Sequence, residues 1–509
     1  MRTVRQTLTA GGTLLTALVI STSYSAAQDT GPTLRTLYNF TGGSGGGNPF
    51  ASVVVGPDGV LYGTTDGGTT SNGTVFSLTP PASPGGAWTE TVLHSFAGAP
   101  TDGANPFAPV VIGPGGVLYG TTNVGGTSNN GTVFALNPPA TPGGAWTETV
   151  LHSFAGSPDD GANPQVGVVI GGAGVIYGTT AGGGISACIF GGCGTVFSLK
   201  TPASPGSSWT ETVLYHFNNS EGSNPEGGLV IGNGVLYGTT YFGGTSSNGT
   251  VFSLTPPVSP GGAWTEAVLH DFTPLSGDGT IPAAGVVIGS GGVLYGTTFS
   301  GGTFDFGTAF SLTPPTSPGG PWTETLLHNF GSSSHDGTSP LSALVIGSGG
   351  VLYGTTEDGG STSSGCGFTG CGTVFVLTPP GSAGGAWTES ILHYFNSTDG
   401  ACHCSQFLRI PWYRTGRHAR SLLLRRDSLR QIHVSSYTTP SGKRALLPPK
   451  RTVEWVEPTL SSAPSARAQP GLAYDAATQV RGGLRPVLQQ VARPSGTGRH
   501  SQVSTAPGA

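Results

Sequence analysis

The chain has 509 residues, of which 88 are glycine and 40 are proline, and only 9% are charged. Sixteen of its 20 Lys and Arg residues lie in 401–509, so residues 1–400 hold four basic residues against 21 acidic ones. A segment with so few cations cannot neutralise a phosphate backbone, which excludes nucleic-acid binding by this part of the chain. The regularly spaced Val, Leu, Phe and Tyr residues argue against disorder and predict a packed core there.

The N-terminus has the pattern of a secretory signal peptide. Arg2 and Arg5 precede an apolar stretch at about 8–20, and Ser25-Ala26-Ala27 supplies small residues for cleavage before Gln28. A membrane anchor is the alternative, but the apolar stretch is shorter than the roughly 20 residues that span a bilayer. We therefore predict a signal peptide at 1–27, no transmembrane segment, and a secreted or cell-surface location.

A tandem repeat follows the signal peptide. The string YGTT recurs at a nearly constant spacing, with steps of 57, 58, 60, 58 and 58 residues between its tyrosines. A fixed period of this length predicts a modular array. The six tyrosines are Tyr62, Tyr119, Tyr177, Tyr237, Tyr295 and Tyr353.

Each repeat contains four short β-like runs. In the first unit these are ASVVVGP, GVLYGTT, GTVFSL and WTETVLHSF, separated by Gly, Pro, Asp and Asn turn residues. Four strands per unit are typical of a β-propeller blade, although known blades of about 40–50 residues are slightly shorter. A β-helix is the alternative, but it would need each unit to contain two or three unlike rungs.

The last strand of the unit occurs once more than the other three. Its opening Trp appears six times, whereas its closing Phe appears seven times, first in LRTLYNF near the mature N-terminus. We therefore predict an all-β propeller of six full four-stranded repeats plus a split or truncated seventh blade, which removes open strand edges. The closing residues are Phe40, Phe96, Phe154, Phe217, Phe272, Phe330 and Phe395.

The repeat pattern stops abruptly inside the seventh unit. After NSTDGA at 396–401 no further YGTT occurs, and glycine falls from 80 residues in 1–400 to eight in 401–509. We divide the chain into the signal peptide, a propeller at 33–400 and a basic tail at 401–509. The tail is either a genuine disordered extension or, as the break within a unit favours, an out-of-frame translation of the seventh blade.

Two cysteine pairs indicate local disulfides. Cys188 and Cys193 bracket IFGG, and Cys366 and Cys371 bracket GFTG, so each pair closes a very short loop in an exported protein. Metal binding is the alternative, but neither pair has a His or a third Cys at zinc-site spacing.

The strings GVLYGTT, GTVFSLTPP and WTETVLHSF at this period resemble the GloVer tandem repeat, a family of exported bacterial proteins named from Gloeobacter and Verrucomicrobia. The resemblance covers about 33–400. It implies a secreted or surface-directed repeat protein and supplies no catalytic residues. Family members often end in a sorting anchor, and no such anchor is recognisable in this sequence.

Three polar positions recur in every unit, and we interpret all three as structural. A histidine lies two residues before the closing Phe, except that it shifts by one residue at His216, an acidic residue precedes Gly in the next turn, and a glutamate follows Trp by two. Five or six histidines on separate blades cannot share one metal ion, and one carboxylate per turn is too few for calcium. We therefore predict no catalytic, metal or cofactor site. The three series are His94, His152, His216, His270, His328 and His393; Asp102, Asp160, Glu221, Asp278, Asp336 and Asp399; and Glu90, Glu148, Glu211, Glu266, Glu324 and Glu389.

The loop after YGTT is the part of the unit that varies most. It is longest in the third and sixth units, which carry the cysteine pairs. Insertions confined to one face of a propeller mark a binding face, although surface drift also produces them. We predict a non-catalytic exported protein that binds or displays, with an unidentified glycan or surface protein as its partner. The alternative is an extracellular propeller enzyme, a polysaccharide lyase or hydrolase, because the fold hosts both classes.

Overall fold

A computed structural model describes residues 34–396 except 69–70, 84, 142, 186–187, 189–190, 203–207, 260, 275–276, 318, 361–369 and 383. It also gives the backbone of five short strands in the tail. The predicted signal peptide, 1–27, lies outside the described residues, so it stays a prediction. The described residues contain no helix that is both long and apolar enough to cross a membrane.

The described chain is built from strands joined by tight turns. Short 3-10 turns at Pro57–Gly59, Pro114–Gly116, Gly172–Gly174, Ser290–Gly292 and Ser348–Gly350 connect the first and second strands of five units, and another lies at Gly43–Gly45. The strands of the first half are β1 (Val54–Val55), β2 (Leu61–Thr65), β3 (Thr74–Thr79), β4 (Thr89–Ser95), β5 (Gly103–Ala104), β6 (Val111–Ile112), β7 (Leu118–Thr122), β8 (Val124–Gly125), β9 (Thr132–Asn137), β10 (Thr147–Ser153), β11 (Gly161–Ala162), β12 (Val169–Ile170), β13 (Ile176–Thr180), β14 (Gly182–Gly183), β15 (Thr195–Lys200) and β16 (Thr210–His216). Those of the second half are β17 (Val230–Gly232), β18 (Val235–Thr240), β19 (Thr250–Thr255), β20 (Thr265–Asp271), β21 (Gly279–Thr280), β22 (Val287–Ile288), β23 (Leu294–Thr298), β24 (Ser300–Gly301), β25 (Thr308–Thr313), β26 (Thr323–Asn329), β27 (Gly337–Thr338), β28 (Val345–Ile346), β29 (Leu352–Thr356), β30 (Asp358–Gly359), β31 (Thr373–Thr378) and β32 (Thr388–Tyr394).

The six repeats form six four-stranded antiparallel sheets, which are the blades of a β-propeller. The sheets are β1-β2-β3-β4, β6-β7-β9-β10, β12-β13-β15-β16, β17-β18-β19-β20, β22-β23-β25-β26 and β28-β29-β31-β32, here called blades 1 to 6. The all-β propeller prediction is confirmed. The β-helix alternative is wrong, because the four strands of a unit pair with one another in a single sheet.

The blade connections and the loops between second and third strands lie on the same rim of the ring. Four two-stranded ladders join them, namely β5 with β8, β11 with β14, β21 with β24, and β27 with β30. In an antiparallel meander the other two kinds of loop must emerge on the opposite side. We call the side of these ladders the connection rim.

The hydrophobic core lies between neighbouring blades. Val75 and Phe96 of blade 1 pack with Leu118, Phe134 and Leu136 of blade 2, and the other junctions repeat this cluster. The closing Phe meets the third-strand Phe of the next blade edge-on, as in Phe96 with Phe134 at 5.1 Å between ring centroids. The Val and Phe of GTVF and the Leu before Tyr-Gly-Thr-Thr thus lie in an inter-blade core.

The N-terminal segment 34–40 packs on blade 1 but forms no β-ladder there. Leu37, Tyr38 and Phe40 contact the cluster around Val53. The ring centroids of Phe40 and Phe76 are 4.8 Å apart. Phe40 thus takes the place that a closing Phe takes at the other junctions. The predicted outer strand therefore lies where a strand of a preceding blade would, without strand pairing.

The tail forms a separate unit, His403–Ala509. Its described strands are β33 (Leu424–Asp427), β34 (Gln431–Val434), β35 (Ser436–Thr438), β36 (Arg444–Leu446) and β37 (Val453–Glu454), arranged as β33-β34-β37 and β35-β36. Most of 401–509 lies outside the described residues, so the disorder of the tail stays a prediction.

Candidate functional site

The junctions between blades bring together the three polar series that the sequence presents separately. The histidine comes from the fourth strand of one blade, the aspartate from the connection that follows, and the glutamate from the fourth strand of the next blade. At four junctions one nitrogen or oxygen of each side chain lies within 4.8 Å of the others. We call these the His–Asp–Glu clusters: His94–Asp102–Glu148, His152–Asp160–Glu211, His270–Asp278–Glu324 and His328–Asp336–Glu389.

The fourth strand can serve two junctions because it contains a β-bulge. Glu148 faces the cluster of the preceding junction, while His152 faces that of the next. In a regular strand two residues four positions apart would share one face. The register of β10 against β9 shifts between Val150 and His152, and such a bulge re-aims the following side chain.

Each aspartate holds the turn as well as the histidine. Asp102 Oδ2 accepts from the Ala97 amide at 2.7 Å and lies 3.2 Å from His94 Nε2, and its Oδ1 accepts from the Gly103 amide at 2.6 Å. Burial alone would raise the pKa of Asp102, but the bonds from His94 and Ala97 outweigh it and lower the pKa. The predicted Asp-Gly turn chemistry is therefore present.

The pKa values of the histidines in the last two clusters are raised by their aspartate partners. His270 and His328 each lie 3.3 Å from an aspartate oxygen through Nε2. Burial lowers the pKa of both histidines, but the hydrogen bonds that they donate to Asp278 and Asp336 outweigh it and raise the pKa. Each pair thus has the character of a partly buried ion pair.

The carboxylate groups of the glutamates in the clusters are only partly hydrogen-bonded. One oxygen of each, Oε1, is buried without a hydrogen-bond partner among the described residues. Burial raises the pKa of all four to about 7. The four residues are Glu148, Glu211, Glu324 and Glu389.

The junction between blades 3 and 4 departs from the pattern. Tyr215 stands where the other units have histidine, and its hydroxyl donates to Glu221, which replaces the aspartate. His216 is displaced by one residue, and burial lowers its pKa. Glu266 completes this junction, and burial, then the charge of Glu221, raises its pKa to about 7.

Blade 1 has no complete cluster on its first side. There Glu90 faces the N-terminal segment across a cavity of about 430 Å³, which Tyr38, Ser44 and Gly45 also line. No His or Asp among the described residues lines this cavity, and burial raises the pKa of Glu90.

Among the described residues, the connection rim carries disulfide-bonded cysteines and five of the nine large exposed apolar side chains. Cys188 and Cys193 are bonded to each other, as predicted. Cys371 is also disulfide-bonded, but Cys366 lies outside the described residues, so that pairing stays a prediction. Five apolar residues on this rim are 40–66% exposed: Phe50, Ile185, Phe304, Phe306 and Leu341.

One position on the connection rim carries five different residue types in the six blades. It is the residue after the proline of each connection, which is far more variable than the strands that flank it. Phe50 and Phe107 at this position touch edge-on, with 5.8 Å between ring centroids. The six residues are Phe50, Phe107, Gln165, Glu226, Ala283 and Leu341.

The sequence matches the Gloeobacter/Verrucomicrobia repeat in four overlapping regions, 21–190, 65–285, 140–368 and 258–409. The chain belongs to this family. The resemblance seen in the repeat strings is thereby confirmed. No curated protein matches the chain.

Several solved structures resemble the fold at low identity. A polysaccharide lyase of family PL25, an ulvan lyase, is 12% identical with a TM-score of 0.30, covering 68% of this chain and 73% of its own. An α-L-arabinofuranosidase from Lactobacillus brevis is 14% identical with a TM-score of 0.30, covering 53% and 94%. Trypanosoma rangeli sialidase is 12% identical with a TM-score of 0.33, covering 70% and 58%. At these scores the likenesses carry no functional argument.

Proposed function

We propose that this repeat protein is an exported, non-catalytic propeller that binds a glycan or a surface protein through its connection rim. The proposal rests on where the repeated acidic and basic side chains lie. His, Asp and Glu lie within 4.8 Å of one another in four alike inter-blade clusters, so no blade among the described residues has a catalytic pair of its own. Acid–base catalysis needs two groups in unlike environments at one place.

The connection rim supports the binding role because it combines variation with exposed apolar surface. Strands repeat almost unchanged from blade to blade, whereas the loops and the residue after the connection proline differ. Phe304 and Phe306 are 43% and 47% exposed on one loop of blade 5. Exposed aromatic side chains on variable loops are typical of a recognition surface.

The charge of the repeats narrows the class of ligand. Between the predicted cleavage site and residue 400 the sequence holds Arg35 and Lys200 as its permanent cations, against 21 acidic residues in 1–400. Repulsion between like charges therefore disfavours sulfated or uronic-acid polysaccharides. We propose a neutral glycan, or a protein surface with few acidic groups, as the ligand, at the cell surface or outside the cell.

A glycan array combined with a turnover screen tests this function on the mature chain. We expect binding to a subset of neutral glycans, with no hydrolysis or elimination products. A double variant, Phe304→Ser with Phe306→Ser, should lose at least about tenfold in affinity. The matched control is Val258→Ser, which removes an exposed apolar residue from the opposite rim and should bind as the parent does. Product formation, or equal loss in both variants, would contradict the proposal.

A further inference from the structure

We propose that the four His–Asp–Glu clusters are binding sites for a divalent transition-metal ion, with Zn²⁺ as the ion to test first. An imidazole nitrogen and two carboxylates are ligands that Zn²⁺ accepts in proteins. Histidines on separate blades cannot share an ion with one another. Each of the four histidines can share one with two carboxylates of its own junction.

The distances within a cluster suit such an ion. The His Nε2 to Asp Oδ2 distances are 3.1 to 3.3 Å, and Glu389 Oε2 lies 3.7 Å from His328 Nε2. Two ligand atoms each about 2.0–2.1 Å from a tetrahedral zinc ion are about 3.3 Å apart. An ion could therefore enter between the three groups with small side-chain movements, taking the place of the imidazole proton at Nε2.

Two carboxyl oxygens at the junction between blades 4 and 5 are buried without a hydrogen-bond partner. They are Glu324 Oε1, which lies 3.9 Å from His270 Nε2, and Oδ1 of Asp278, a residue that is only 6% exposed. Buried polar atoms normally have a partner, and an unexplained pair indicates an unseen ion, water or proton. A cation between them would satisfy both oxygens at once.

A bound cation would also compensate the charge of the carboxylates in each cluster. Each cluster combines two carboxylates with one imidazole, and every ion pair among the described residues involves a histidine rather than Lys or Arg. Buried carboxylates without compensation are costly. Because His and Asp belong to one blade and its connection while Glu belongs to the next blade, the ion would cross-link neighbouring blades.

The experiment measures zinc on the full mature chain. The protein is stripped with EDTA, dialysed against Zn²⁺ and washed, and bound metal is counted by mass spectrometry. We expect His270→Gln to bind one ion fewer than the parent, and a quadruple His→Gln variant to bind about four fewer. The quadruple variant changes His94, His152, His270 and His328. Zn²⁺ should also raise the melting temperature of the parent more than that of the quadruple variant.

The chain supplies its own control at the junction between blades 3 and 4. His216→Gln changes a histidine of the corresponding fourth strand that is displaced by one residue and belongs to none of the clusters, and it should bind as much zinc as the parent. Zinc left on the quadruple variant would report other ligands, including Cys402, His403 and Cys404 in the tail.

A double variant keeps the test decisive if the quadruple variant does not fold. Glu324→Gln with Glu389→Gln leaves both His–Asp bonds in place and should bind two ions fewer. Equal zinc on the parent and on either folded multiple variant would overturn the proposal. In that case a proton shared between the carboxyl groups would account for the orphan oxygens.

Discussion

Single aromatic side chains connect each blade to the next. Phe154 is completely buried and packs edge-on against both His152 and Phe197, with ring centroids 4.7 and 5.1 Å away. The same ring thus contacts the polar cluster on one side and the core of blade 3 on the other. Its burial couples the His–Asp–Glu cluster to the apolar core.

We expect Phe154→Ala to lower the free energy of unfolding by about 3–5 kcal/mol, because it removes a buried ring and leaves a cavity at the junction. Phe50→Ala is the control, since Phe50 is 48% exposed, and it should cost less than about 1 kcal/mol. Denaturant unfolding followed by tryptophan fluorescence measures both. Similar losses in the two variants would show that the junction rings do not dominate stability.

The free energy of unfolding should depend on pH through Glu266, which lies at the junction without a His–Asp–Glu cluster. Burial, and then Glu221, raises the pKa of Glu266 to about 7 from about 4.5. A carboxyl group with a raised pKa binds its proton more tightly in the folded state, so its contribution is present below pH 4.5 and is lost as the pH rises to about 7. Glu266→Gln should remove this loss.

Relative to the parent, Glu266→Gln should therefore be more stable at pH 8 than at pH 5, by on the order of 1 kcal/mol after allowing for partial exposure. Melting temperatures across pH 4–9 for both proteins measure it. A constant difference between them across that range would mean that Glu266 is not protonated in the fold.

At the scale of the element, the second strand of each blade carries a glycine because the Phe of the third strand leaves no room for a side chain there. A Cβ on Gly178 would lie 2.5 Å from the ring of Phe197, and equivalent glycines meet the equivalent Phe in the other blades. The recurrence of YGTT is thus explained by close packing of two strands within a blade. This glycine is needed for space rather than for an unusual backbone angle.

Gly178→Ala should destabilise the protein by about 1–3 kcal/mol, because the added methyl overpacks the blade. Gly172→Ala is a matched control, since a Cβ there meets no atom within 4 Å. Thermal unfolding of the two variants compares them directly. If Gly172→Ala cost as much as Gly178→Ala, the close contact with Phe197 would not be the cause.

At the scale of the whole molecule, the end of blade 6 differs from the other junctions. Phe395 and Thr355 keep partial exposure, whereas their counterparts in blades 1 to 5 are buried. The face of blade 6 is therefore less covered than the faces of the other blades. A seventh blade truncated at about residue 401 would leave this face less covered, and the truncation stays a prediction.

Translating the encoding DNA in its other two frames tests the origin of the tail. If the tail is out of frame, one frame should restore a VVIG-like run and a YGTT with its tyrosine near residue 411, since Tyr353 plus the usual 58 gives 411. The frame-corrected protein should then be more soluble and melt higher, because the added strands cover an open edge. Equal solubility and melting temperature, or no such frame, would refute this.

The sequence by itself determined the blade. The period, the four β-like runs, the turn residues and the short loop between Cys188 and Cys193 are all local, so they could be assigned without knowing how units pack. The count of six repeats and the family followed from the same local strings. Even the placement of the variable loops on one rim needed only the order of antiparallel strands.

Only the tertiary structure decided which residues meet. His94 and Glu148 are separated by almost a whole repeat, and they approach each other because neighbouring blades pack face to face. The bulge in each fourth strand sends its Glu and His to opposite junctions, which a regular alternation of faces does not predict. The repeated His, Asp and Glu residues therefore meet in four clusters. Contacts between blades are non-local, so they cannot be derived from the pattern within one repeat.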